Sequence, residues 1–364
     1  MMKRFAFAAL TMYAVLGFGA SAEIHDDENA KRRRFSFALI GDLQYNTAEE
    51  TTSFPNLKAD IDAKRLAFVV HDGDFKGGRV LCSDALFQSR HDLFNSFKHP
   101  FVFLFGDNEW TDCHRTQDAA HPEYSDPFNR LALLRKLFLL DHGNTSLGRR
   151  TLELERHSVS FPEIVRWTRS NVMFVGLHVV GSNNGLTTGP GLESKAIEEY
   201  QARNRANIEW LRESFRRAKE HGGPAVMILL QANLWDTIRK NALFGFYGPA
   251  QGNPYAEEGI IPVLEDEART FGKPVVLVHG DSHYFRIDKP LPTPAFQLDP
   301  NDSADGENLG PLPWESSAPR LENLTRVETF GTPNAHWVKV TVDTKDPNVF
   351  RFEERIVESN RATR

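Results

Sequence analysis

Five short apolar runs in this chain each stop on a cluster of acidic or polar residues, and that recurrence limits the available folds more than any other feature. Residues 35–40 run into Gly41-Asp42, and residues 66–70 into His71-Asp72-Gly73-Asp74. Residues 101–105 lead to Gly106-Asp107-Asn108-Glu109, and residues 225–230 to Gln231-Ala232-Asn233. The fifth run, 274–278, meets His279-Gly280-Asp281-Ser282-His283, and a further run over 172–180 ends at Gly181-Ser182-Asn183-Asn184. Runs of this length read as buried strands. Between them lie helical patterns. The clearest, 196–221, sets Ile197, Tyr200, Ile208, Leu211 and Phe215 on one face and stops at Gly222-Gly223. Alternating strands and helices imply an α/β architecture, in which ligands sit beyond the carboxyl ends of the strands.

The N-terminus reads as a signal for export. Lys3 and Arg4 precede an apolar run over 5–19, and Ala20-Ser21-Ala22 offers a small-residue cleavage site. That run is too short for a membrane span, which needs about 18 apolar residues or more. The expectation is a signal peptide at 1–22, no membrane span after its removal, and a periplasmic or extracellular location. Removing it takes away two positive charges and no acid, moving the net charge from −6 to −8. A mildly acidic exported protein lacks the basic surface that general nucleic-acid binding requires.

A polar linker follows at 23–34, ending in Lys31-Arg32-Arg33-Arg34. With 40% hydrophobic residues, the remainder can bury one large core, and a single domain over 35–357 is expected. Seven prolines between 290 and 319 mark a surface loop, taken to reach 325. C-terminal strands are expected over 326–357, notably at 337–342 and 349–352, before a tail at 358–364. The two cysteines, Cys82 and Cys113, suggest a disulfide in an oxidising compartment, with two buried free thiols as the alternative.

One Asp after one strand is ordinary loop chemistry. Five acidic or polar strand ends gathered by one sheet architecture are different, because clustered carboxylates repel unless cations lie between them. A metal site follows as the expectation.

The blocks Asp42-Leu43-Gln44, Gly73-Asp74, Gly106-Asp107-Asn108-Glu109, the strand end at Gln231, and Gly280-Asp281-Ser282-His283 resemble, in order and spacing, those of calcineurin-like metallophosphoesterases. The likeness is greatest to an exported branch with the wording GDNEWTDC, here Gly106 to Cys113. The resemblance implies a four-layer α/β/β/α sandwich around two divalent metal ions. One ion would be held by Asp42, Gln44, Asp74 and His283. The second would share Asp74 and add Asp107, Gln231 and Asp281, with Asn233 as the substitute for Gln231. It also implies a hydrolase that cleaves a small-molecule phosphate mono- or diester by in-line attack of a hydroxide lying between the ions.

Three positions depart from the family pattern: Asp107 stands for Asn, and Gln231 and Asp281 each stand for His. Four carboxylates then neutralise two divalent ions, which weakens them as Lewis acids. An all-oxygen second position favours Mn²⁺ or Mg²⁺, with Fe, Ca²⁺ or Zn²⁺ remaining open. The expected consequence is an alkaline optimum, against which zinc-dependent activity at mildly acid pH would count.

The family's general acid, a His, is replaced by Asn108, which can bond a phosphoryl oxygen but cannot release a proton usefully near neutral pH. His114, His178 and His279 are alternative donors, each also readable as a packed histidine; His178 is taken as the catalytic candidate. Lys76 either holds a substrate phosphate or is a surface lysine in a Gly turn. Trp110 reads as packing rather than as a stacking platform, and a Cys82–Cys113 bridge would tie the Asp74 and Asp107 loops together. Two other classes compete with the hydrolase: an exported, metal-stabilised binding protein of the same fold with little or no activity, and a structural calcium module.

Overall fold

The computed structural model describes residues 33–235, 254–255, 258–291 and 321–361. The expected signal peptide, nearly all of the expected linker, most of the Pro-rich loop and the last residues of the expected tail lie outside that set.

Among the described residues the strands are β1 (Arg34–Ile40), β2 (Val69–His71), β3 (Phe101–Phe103), β4 (Glu155–Arg156), β5 (Val165–Arg169) and β6 (Val172–Gly176), then β7 (Val226–Leu229), β8 (Val275–His279), β9 (Arg286–Asp288), β10 (Leu324–Glu328), β11 (Trp337–Asp343) and β12 (Phe350–Arg355). The longer helices are α1 (Phe54–Ala63), α2 (Asp84–Asn95), α3 (Pro127–Leu134), α4 (Glu193–Glu220) and α5 (Ile260–Phe271). The strands form two sheets, ordered β12-β11-β1-β2-β3 and β4-β5-β6-β7-β8-β10-β9.

The apolar runs are near-continuous because alternate residues face different layers. Phe37 and Leu39 of β1 join Met227 and Leu229 of β7 and Val276 and Val278 of β8 in the core between the two sheets. Ala38 and Ile40 point the other way, into a cluster with Phe54, Leu57, Phe87, Phe94, Leu131 and Leu134 from α1, α2 and α3. Val226, Ile228, Val275 and Leu277 pack outward on Leu211, Phe215, Val263 and Leu264 of α4 and α5. Helices, sheet, sheet, helices: the architecture is the expected four-layer α/β/β/α sandwich.

Parallel pairing brings the strand ends level. Ile40 lies opposite His71, which lies opposite Phe103; in the second sheet Leu229 pairs with Val278. The residues just beyond these positions are the acidic clusters, so register alone delivers them to one rim.

Three expectations change. The inner face of α4 is not the apolar stripe expected: Ile197 is 44% exposed while Arg203, Asn204 and Asn207 are buried. Arg203 and Asn207 donate to the His178 carbonyl oxygen, and Asn204 to that of Glu258. This half of the helix covers loop carbonyls, which need donors more than they need hydrocarbon. Leu324 and Thr325, expected in the surface loop, open β10, which pairs parallel with β8. Lys76 is fully buried, so the surface reading fails.

Cys82 and Cys113 are disulfide-bonded. The bridge closes a 31-residue separation and joins the segments that follow β2 and β3.

Candidate functional site

Each strand end contributes a turn whose backbone is forced by what it must present. Asp42, Gln44, Asp74, Asp281 and His283 all have positive φ, as do Ser182, Asn183 and Asn184 in the turn after β6. Left-handed backbone at non-glycine residues costs about 1–2 kcal/mol each and persists where surrounding structure over-determines it. Eight of the eleven such residues among those described sit at this rim.

Backbone hydrogen bonds hold the turns against one another. The Asp42 and Leu43 amides donate to the Gly73 and Asp74 carbonyls (2.9 and 3.2 Å), and the Thr332 amide to the Asp42 carbonyl (2.8 Å). The Asp281 amide donates to Asp42 Oδ2 at 3.0 Å, joining the two sheets. At Gly280 a Cβ would fall 1.9 Å from that same oxygen, so only glycine lets the β8 turn approach Asp42.

Asp42, Asp74, Asp107 and Asp281 are thereby brought together. The Tyr45 hydroxyl lies within 3.3 Å of Asp42 Oδ1 and 3.1 Å of Asp74 Oδ2, and accepts from Asn108 Nδ2 at 2.8 Å. Gln231 Nε2 reaches Asp74 Oδ2 and Asp107 Oδ1 at 3.1 Å and Asp281 Oδ1 at 3.4 Å. Its Oε1 accepts from the Gly181 amide at 2.6 Å. Asn233 is committed elsewhere: its Nδ2 donates to Ser282 Oγ (2.6 Å), and its Oδ1 accepts from the Trp235 amide.

Burial and like charge dominate the electrostatics. Asp74 is held well above the usual carboxylate range, first by burial and then by Asp107, Glu109 and Asp42. Burial also raises Glu109 to about 7, and Asp112 to about 7 with Asp107 adding to it. Lys76 is pulled down to about 8 by burial, although Asp112, Glu109, Asp74 and Asp107 all favour its charge. Burial lowers His283, but its hydrogen bond to Asp42 and the Asp42 charge outweigh that and carry it to about 9. The basket is therefore over-supplied with carboxylates for the cations the chain itself provides.

Ser182 Oγ lies 2.6 Å from both Asp107 Oδ2 and Asp112 Oδ1. A hydroxyl has one proton, so Ser182 can donate to only one of those carboxyls at a time. Arg115 pairs with Asp112 Oδ2 at 2.5 Å and donates to Ser182 Oγ at 3.1 Å, half-exposed at the edge.

The fit of a metal differs between the two expected positions. At the first, Gln44 Oε1 is buried with no hydrogen-bond partner. His283 Nδ1 lies 3.0 Å from the Thr332 carbonyl oxygen, which makes it the protonated nitrogen when the ring is neutral and leaves Nε2, 3.4 Å from Asp42 Oδ1, as the donor atom. Three oxygens and one imidazole nitrogen suit a hard or borderline divalent ion. As they stand these side chains are not closed around an ion: among the described residues no three or more His, Cys, Asp or Glu side chains form a metal-holding group. At the second position Gln231 presents N–H groups, which cannot ligate.

The alternative proton donors have other partners. His178 is fully buried; its Nδ1 is 2.9 Å from Glu163 Oε1, and its ring packs on Phe105 and Trp110. His279 is buried with Nδ1 on the Gly280 carbonyl, and His114 bonds the Thr111 carbonyl. Trp110 is fully buried, which agrees with packing. Sequence reading missed Tyr45, Asp112 and Arg115. Tyr45 directly follows Asp42-Leu43-Gln44, and the other two lie three and six residues past Glu109, so adjacency was the available signal.

No helix among the described residues is long and apolar enough to cross a membrane. No protein-family model matches the chain, and no curated protein matches its sequence. Among solved structures it is similar to GAP50, the anchor in the inner membrane complex of Plasmodium, at 12% identity over 89% of each chain with a TM-score of 0.42. It is similar also to purple acid phosphatase PPD1 from yellow lupin (Lupinus luteus) seeds, at 12% identity with a TM-score of 0.41. That match covers 91% of this chain and 55% of the lupin enzyme, so the chain spans about half of that protein's length.

Proposed function

We propose that the chain is an exported hydrolase of small-molecule phosphate esters, dependent on a divalent cation held by Asp42, Gln44, Asp74 and His283. The observation that carries this reading is the meeting of strand ends from both sheets in one buried acidic basket, beside an unpartnered Gln44 Oε1 and a His283 turned by Thr332. Mn²⁺ or Mg²⁺ suits that donor set. When bound, the cation supplies Lewis-acid polarisation of a phosphoryl oxygen and activates a water.

The chain's own groups account for the rest. Asn108 Nδ2, which donates to the Tyr45 hydroxyl, would donate instead to a phosphoryl oxygen of the substrate; its backbone amide donates to Asp74 Oδ1 at 3.0 Å. Lys76 acts as a buried counter-charge to Glu109 and Asp112, and tunes the basket rather than gripping substrate. His178, committed to Glu163, is a scaffold residue. Without a histidine to protonate the departing group, turnover is confined to esters with good leaving groups.

A second reading, a binding protein of the same fold with little turnover, is favoured by Asn108 and by the Gln231 amide. Hydrolysis of p-nitrophenyl phosphate and its bis ester with Mn²⁺ separates the two. Activity lost in Asp74→Asn, with folding preserved by circular dichroism, supports the hydrolase. No turnover above the Asp74→Asn background on either ester leaves the binding protein.

A further inference from the structure

Resting on the cation reading above, we propose that the side-chain amide of Gln231 takes the place of a second cation, so that the chain holds a single divalent ion. A backbone N–H must face an acceptor, so the 2.6 Å contact from the Gly181 amide identifies Oε1 of Gln231. The Nε2 group is then directed at Asp74 Oδ2, Asp107 Oδ1 and Asp281 Oδ1, at 3.1, 3.1 and 3.4 Å. Those are the three carboxylates the family resemblance gives to the second ion. An amide nitrogen with two N–H bonds has no lone pair available for a metal, but its two hydrogens are shared among the same three oxygens, the nearer two at 3.1 Å and the third at 3.4 Å.

The amide is built in. Gln231 is fully buried. Its backbone amide donates to the Val179 carbonyl (3.2 Å), and its carbonyl accepts from the Gly280 amide (3.1 Å). Gly73 lies so close to the side chain that a Cβ there would meet Gln231 Cγ at 2.7 Å, which bars the stem from swinging on that side. Turning the amide over to offer Oε1 to a metal would set its NH₂ against the Gly181 N–H, donor to donor.

The remaining oxygens of the three acids are also taken by the chain. Asp74 Oδ1 accepts from the Asn108 amide (3.0 Å), Asp107 Oδ2 from Ser182 Oγ (2.6 Å) and Asp281 Oδ2 from the Asn233 amide (3.0 Å). Asp74, shared between the positions, is the member that also faces the first. The contrast with Gln44, whose Oε1 is buried and unpartnered, separates a position finished by the protein from one left open to an ion.

The test is the number of ions per chain. EDTA-stripped full-length protein is dialysed against Mn²⁺, bound metal is counted by mass spectrometry, and the Mn²⁺ electron paramagnetic resonance spectrum is recorded. The expected result is one ion per chain with an isolated six-line spectrum, rising to two in Gln231→His, which exchanges N–H donors for an imidazole nitrogen. Where Gln231→His does not fold, Asp107→Asn decides: one ion retained supports the inference. Two ions in the unaltered chain, with an exchange-coupled spectrum, overturn the single-ion inference while leaving the cation reading intact. No bound ion at all overturns both.

Discussion

Replacing Glu163 with Gln tests whether His178 belongs to the scaffold. Glu163 is buried and bonded by Arg135 through both oxygens (2.5 and 3.0 Å) and by His178 Nδ1 (2.9 Å). Burial alone would raise its pKa, but the Arg135 charge and the hydrogen bonds from His178 and Arg135 bring it down to about 2, from 4.5. At 1.36 kcal/mol per pKa unit, that depression is worth roughly 3 kcal/mol at neutral pH. The folded-state pKa is depressed, so this stability is fully present above pH 4.5 and is lost as pH falls through 2. By pH 3.5 roughly 2 kcal/mol should remain. Urea unfolding of wild type and Glu163→Gln at a series of pH values reads the difference, in which titrating groups that do not touch Glu163 cancel and His178, bonded to it, does not. A gap near 3 kcal/mol at pH 7 that narrows on acidification, with the pH–rate profile on p-nitrophenyl phosphate unmoved, is the expected outcome. A gap independent of pH would refute the electrostatic argument. A rate loss far exceeding the loss of folded protein, with a displaced pH profile, would restore His178 to catalysis.

Saturating Mn²⁺ should stabilise the stripped chain by about 2.7 kcal/mol at one hundred times its Kd, read as a reversible rise in Tm, and His283→Ala should abolish the rise. Lys76→Met removes the buried counter-charge of Glu109 and Asp112 and should destabilise the metal-free chain by about 3–5 kcal/mol in urea; a change under about 0.5 kcal/mol would show that the charge is not needed. Paired Cys82→Ser and Cys113→Ser substitutions should lower stability by about 3 kcal/mol, and an unaltered midpoint would contradict the loop-closure account.

The layering was legible because strands buried on both faces cannot hide. Residues 274–278 read as an unbroken apolar run, and in the fold Val275 and Leu277 face the helices while Val276 and Val278 face the other sheet. Strand limits were less legible. The run over 66–70 suggested a strand from Leu66, whereas β2 pairs only from Val69 to His71. Leu66 and Phe68 are buried ahead of that register. The first bonds to β1 already lie there, from the Ala67 amide to the Ser36 carbonyl (2.8 Å) and from the Ala38 amide to the Phe68 carbonyl (3.2 Å). The apolar run therefore marks burial and the first contacts rather than the registered pairs. On α4 the helical period was readable, but the direction of its polar residues was set by carbonyls of loops far away in sequence. No local pattern reports that.

Much the same division holds for the site. Asp42, Asp74, Asp107 and Asp281 were identified as a group because each follows a strand, and strand ends in register share one rim. What Gln231 does there could not be read from its position, since glutamine offers an acceptor and a donor at nearly the same place. The choice falls to Gly181, fifty residues upstream, whose amide claims the oxygen and turns the nitrogen toward the acids. A family pattern assigns a residue to a position in the basket. Only its neighbours decide whether it faces that position as a ligand or as a replacement for the ion, and on the single-ion proposal one backbone N–H, from Gly181, decides it by claiming the Gln231 oxygen.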